Sequence, residues 1–260
     1  MLLVAVHEEP LYEFVGPAET SWKTVQGRTR ATLVETRDAL APGARTVVEA
    51  DALVWRALRR VVRREHRDLL VVGSSRRVPA GRVGFGEDAR QLFDHLECPL
   101  AIAPRGMRDV ERPHLERIGV GFDQEPEARA AFALAASISR SAGAQLEVCG
   151  VVDDRVPGGL KTEQIVLGGD AIVAREASSL LERAQAAAEA CGVRPRVEVS
   201  RGKPSDALRD LAARVDLLVI GSSRSGPRGR VSLGKVGSAV TDGAPCGVMI
   251  VPRPDNASAI

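Results

Sequence analysis

Two stretches of this chain carry residue types suited to binding phosphate. Gly221, Ser222 and Arg224 open a glycine-rich loop after the apolar run 217–220, and Gly234, Lys235 and Val236 close it where a helical pattern begins. Such loops offer backbone N–H groups to an anion. Asp123 follows a second apolar run, 118–121. In open parallel sheets, ligands sit beyond the carboxyl ends of strands, at the point where strand order reverses. Asp123 and Gly221 both occupy such ends, on different strands, which suits convergence on one site. The bland alternative makes Asp123 a turn residue and keeps the glycines for loop geometry alone.

Other chemistries find less support. Residues 229–236 read GRVSLGKV, one position short of the P-loop pattern GxxxxGK[ST]: the final Val supplies no hydroxyl for magnesium. The twin segment 81–88 reads GRVGFGED, with Glu in place of Lys. His7, His66, His95 and His114 are scattered, and none lies near a candidate nucleophile in sequence. Ser74-Ser75 and Ser222-Ser223 read as residues satisfying the turn after a strand. Cys98, Cys149, Cys191 and Cys246 show neither CxxC spacing nor neighbouring His, so they read as reduced core thiols, not zinc or redox sites.

The elements that must position these residues occur twice. Residues 73–105 and 221–253 align without a gap at an offset of 148, matching Gly73 to Gly221, Gly86 to Gly234, Cys98 to Cys246 and Pro104 to Pro252. The repeat divides the 260 residues into a first domain (1–105), a linker (106–113) and a second domain (114–260). Aromatics are only 3% of the chain, so the cores must be built from Val, Leu, Ile and Ala. A net charge of +2 gives no field that argues for nucleic acid or membrane. No run approaches the ~18 apolar residues of a membrane span, and a cytoplasmic protein is expected. Arg56, Arg59, Arg60, Arg63, Arg64 and Arg67 share a helical face opposite Val54, Ala57, Leu58, Val61 and Val62. They read as a solvated face, with an acidic partner as the alternative.

In the second half, apolar runs 118–121, 146–152, 217–220 and 248–251 predict buried strands, and alternation at Val197 and Val199 an edge strand. Helical spacing joins Ala128, Ala131, Phe132, Ala135 and Ile138, then Val173 to Cys191, then Leu208, Leu211 and Ala212, then Val236, Ala239 and Val240. Alternating strands and helices with apolar runs predict a doubly wound parallel sheet. The first half enters this order late. Residues 1–9 (MLLVAVHEE) align with 146–154 (LEVCGVVDD), so nothing matches 118–145. A weak helix over 25–40, strands over 46–48, 69–72 and 100–103, and a helix carrying Ala89, Leu92, Phe93 and Leu96 complete it.

The segments IGVGFDQEPEARAAFALAASIS, VVDD, DLLVIGSS, LGKVGSAV and APCGVMIVPR, with DLLVVGSS, FGED and ECPLAIAPR in the first half, resemble the universal stress protein family in its tandem form. The resemblance spans nearly the whole chain. It implies Rossmann-like domains of strand order 3-2-1-4-5, joined through their last strands, and a stress-response role without catalysis. Many members bind ATP, so adenine nucleotide is the implied cofactor, with a homodimer as a further assembly.

The same resemblance assigns roles. Asp123 would contact adenosine, and the backbone of Val151 would meet adenine. The first loop glycine would let backbone approach phosphate. The family's loop reads Gly, two residues, Gly, nine residues, Gly, Ser or Thr. Here the matching residues are Gly221, Arg224, Gly234 and Lys235, and Gly73, Arg76, Gly86 and Glu87 in the first half. Lys235 still favours phosphate; Glu87 repels it. Arg224 either clamps phosphate or fills the pocket. The nucleotide site is therefore expected in the second half. The rival is an interaction scaffold that has lost ligand binding.

The first half lacks its β1-α1 unit, and in the implied order that strand is central. Its absence would leave backbone groups unpaired, at about 1–3 kcal/mol each. Two expectations follow: a natural start upstream of Met1, or a collapsed half whose second and fourth strands join directly.

Overall fold

A computed structural model describes residues 1–8, 19–107, 115–152 and 169–255. Most of the segment between the predicted strand 146–152 and the helix from Val173, and most of the linker, lie outside these residues. By internal contacts the chain forms two units, Met1–Arg67 and Asp68–Ile260.

In the first unit, β1 (Leu2–Glu8) pairs in parallel with β2 (Arg45–Asp51), and α1 (Glu19–Leu40) connects them. The next helix, α2 (Val54–Arg64), buries Ala57, Val61 and Val62, as the spacing predicts. Its arginines Arg56, Arg60 and Arg64 stay exposed, as the solvated-face reading expects, and they also pair with acids of β2. Arg56 and Arg60 reach the buried Asp51 at 2.6 and 2.8 Å, and Arg60 and Arg64 reach Glu49 at 3.0 and 2.7 Å. The stripe therefore neutralises the carboxylates of β2.

The second unit holds β3 (Leu70–Gly73), α3 (Glu87–Leu92), β4 (Leu100–Ala103), β5 (Arg117–Phe122), α4 (Pro126–Ala142), β6 (Gln145–Val152), α5 (Gly169–Ala190), β7 (Arg196–Arg201), α6 (Pro204–Ala212), β8 (Leu217–Gly221), α7 (Lys235–Thr241) and β9 (Gly247–Val251). One mostly parallel sheet runs β3-β4-β9-β8-β5-β6-β7. Its last five strands follow the expected 3-2-1-4-5 order. Only β4 and β9 run antiparallel, with Ala101 opposite Met249. Strands β1 and β2 make a separate sheet, and β3 pairs with β4, so the direct joining of β1 to β3 is not what the hydrogen bonds show.

Both faces of the larger sheet are covered. Val120 and Phe122 pack with Ala131, Phe132 and Ala135 of α4. The alternate positions Gly119 and Gly121 lie against Leu211 and Leu208 of α6. Helix α4 opens on Pro126, whose fixed φ suits the first turn, and stops at Gly143, whose φ of +66° is the left-handed cap that glycine favours.

Helix α3 ends sooner than the apolar spacing predicts. Asp94 takes φ +64°, and its N–H donates to the carbonyl of Val231 at 2.6 Å. Phe93 and Leu96 therefore lie beyond the helix.

Candidate functional site

The loop after β8 is closed by its own serine. Ser222 is buried; its hydroxyl donates to the carbonyl of Val251 at 2.7 Å and accepts the N–H of Ser232 at 3.0 Å. That hydroxyl is spent on the loop. The first copy repeats the arrangement: Ser74 donates to Ala103 and accepts from Gly84. The arginine ending each repeat adds a second brace. Arg253 donates to the carbonyls of Arg224 and Gly226, and Arg105 to that of Val78.

The two loops also hold one another. Val231 N–H donates to Leu96, and Val83 N–H donates to Ala244, residues separated by the same offset of 148. Both valines are fully buried. The segment that resembles a P-loop is thus committed elsewhere, because the N–H groups of Val231 and Ser232 already have partners.

Between this loop and the end of β5 lies a cavity of about 550 Å³. Asp123, Val151, Gly221, Ser222, Arg224, Gly234, Lys235 and Val236 all line it, drawn from four stretches of sequence. Cys149 and Leu208 supply apolar wall. Burial pushes the Cys149 thiol up to about 11, so it stays protonated at neutral pH.

Charge in the cavity is arranged in pairs. Arg224 reaches across to Asp123 at 3.4 Å and Glu125 at 3.0 Å. The backbone between those acids is bent to allow this: Gln124 takes φ +69°, and Asp123 Oδ1 accepts the N–H of Glu125 at 3.2 Å. Beneath them Glu127 is buried, with Oε1 held by Arg253 Nε at 2.8 Å and Oε2 without a hydrogen-bond partner. Among the described residues Lys235 makes no ion pair.

Two of the glycines also have packing roles. Gly221 makes room for helix α4 and not only for a ligand: a Cβ there would lie 2.6 Å from the carbonyl oxygen of Glu127. A Cβ on Gly234 would meet the Ser223 hydroxyl at 3.0 Å, so that glycine keeps the loop folded on itself. Sequence reasoning missed Glu125, Glu127 and Arg253. The first two looked like ordinary acids at a helix start, whereas the duplication of Arg105 at Arg253 was a readable signal.

Comparison with known proteins agrees with this architecture. A protein of Pseudomonas aeruginosa UCBPP-PA14 described as a universal stress protein has a similar fold, with TM-score 0.62 and 15% identity over 98% of this chain and 93% of that one. A universal stress protein of Archaeoglobus fulgidus DSM 4304 gives TM-score 0.61 and 17% identity over 98% and 86%. UspA of Lactobacillus plantarum is 28% identical over 54% of this chain and 99% of that one, with TM-score 0.45. No curated protein matches by sequence. The profile of the universal stress protein family matches residues 114–252, more than half the chain and the whole cavity, and the chain therefore belongs to that family.

Proposed function

We propose that this chain is a non-catalytic cytoplasmic stress-response protein of the tandem universal stress type, with copies at 1–105 and 114–260, and that the second copy binds an adenine nucleotide. The observation that carries this reading is the single cavity lined by Asp123, Val151 and both ends of the glycine loop. Its volume of about 550 Å³ falls within the range of small-molecule sites. The base would lie toward Val151 and Cys149, the ribose at Asp123, and the phosphates at Ser223, Gly234 and Lys235. The role without catalysis is part of the same proposal, and in this structure Asp123 and Glu125 pair with Arg224, and Glu127 with Arg253.

Titration calorimetry with ATP tests the reading. Saturable heat is expected; no heat at millimolar nucleotide refutes it. One observation favours the rival scaffold, namely that Arg224 already occupies Asp123. On that reading Arg224→Gly with Lys235→Ser binds ATP and the natural sequence does not.

A further inference from the structure

On the nucleotide reading of this cavity, we propose that Arg224 is a latch that makes the site select phosphorylated ligands over the bare nucleoside. The argument begins with what is fixed and what is free. The backbone of Arg224 is pinned, because Arg253 donates to its carbonyl and to that of Gly226, and Arg253 is itself anchored by buried Glu127. The Arg224 side chain is 64% exposed and meets carboxylates that are 52% and 43% exposed. The pivot is rigid and the arm can swing.

In the closed position the arm consumes the group a nucleoside would need. Asp123 Oδ1 is taken by the N–H of Glu125, and Oδ2 by Arg224. A neutral nucleoside competes with Arg224 for Asp123, and it offers the guanidinium nothing in return. A phosphate beside Lys235 offers a stronger, bidentate partner. Arg224 then turns to the phosphate and releases Asp123 to the sugar hydroxyls. Arg224 thereby acts twice, as a phosphate contact and as a cover whose removal the phosphate drives.

The discrimination is bounded by the pairs themselves. Exposed ion pairs are typically worth about threefold each in an equilibrium constant, so the two pairs of the closed latch together weaken nucleoside binding by about tenfold. The same weakness lets a polyphosphate open it.

Adenosine, AMP and ATP binding to the full chain, measured by competition against a fluorescent adenine nucleotide, tests the proposal. The wild-type protein is expected to rank ATP above AMP above adenosine. Arg224→Gln should weaken ATP and tighten adenosine by up to about tenfold, opposite shifts that a plain phosphate contact cannot produce. Glu125→Gln should tighten adenosine and ATP alike, since both ligands must otherwise break that pair and the cation stays. An unchanged melting temperature in both variants shows that the fold is retained. Adenosine binding that matches ATP in the wild type, or that stays unchanged in Arg224→Gln, overturns the latch and leaves the nucleotide reading standing. Failure of all three ligands to bind the wild type overturns both.

Discussion

Replacing Gly221 and Gly73 by alanine separates two explanations of one conserved-looking GSS turn within the same molecule. The two glycines hold equivalent places, each ending a strand and opening the sequence GSSR. Neither has a positive φ, so alanine brings no backbone strain at either. Their surroundings differ. A Cβ at Gly221 would stand 2.6 Å from the Glu127 oxygen and 2.7 Å from its carbon, whereas ordinary contact begins at 3.4 Å. The obstacle is backbone in the first turn of α4, so that turn must retreat by about 0.8 Å. At Gly73 a Cβ meets nothing within 4 Å. Overpacking of this kind costs about 1–3 kcal/mol. In a unit of this size that lowers the melting temperature by about 4–8 °C for a cost near 2 kcal/mol. Gly73→Ala should be neutral or slightly stabilising, because alanine restricts the unfolded chain. Calorimetric melting of both variants gives the answer. If Gly221→Ala melts with the wild type, or Gly73→Ala falls as far, the close approach of α4 is not what requires glycine at 221.

Two further outcomes follow from buried charge and buried sulfur. Hydrogen bonding from Arg56 holds the Asp51 carboxyl well below the usual range, against the effect of burial. Its contribution is therefore present above the unfolded pKa of about 4 and is lost as pH falls below that. The first unit should melt lower in acid, and Asp51→Asn should cost about 2 kcal/mol at neutral pH and flatten that acid dependence; an unchanged acid slope contradicts it. Burial raises the thiols of Cys98 and Cys149 to about 11 and that of Cys246 to about 12. Iodoacetamide at about pH 8 should label Cys191 first in the native protein, read by peptide mass, and equal labelling of Cys149 would contradict the packing described.

Local pattern was a good guide wherever a neighbour in sequence decides the structure. Alternation at Val197 and Val199 predicts an edge strand, and β7 is the outermost strand on its side. Alanine spacing after Pro126 predicts the buried face of α4, and Ala131 and Ala135 are fully buried. Pattern failed where a distant segment decides. Phe93 and Leu96 extend the helical spacing of α3, yet the chain turns at Asp94 because Val231, 137 residues away, takes its N–H. Glu127 carries the marks of a solvated first-turn acid, yet it is buried, close against Gly221, where a side chain would collide with it, and held by Arg253. The site was legible as a set of positions and not as a set of bonds. Nothing in the residues around Arg224 says that it will cross to Asp123 and Glu125 and not point outward.

The antiparallel join of β4 to β9 reaches beyond packing. Two edges that could each have recruited a separate molecule are married inside one polypeptide, so their encounter depends on a short tether and not on concentration. Identical partners drawn from one gene must mutate together. On the tandem reading proposed above, fused partners are released from that obligation, so an acid at Glu87 can stand in one half while its counterpart, Lys235, keeps the opposite charge in the other.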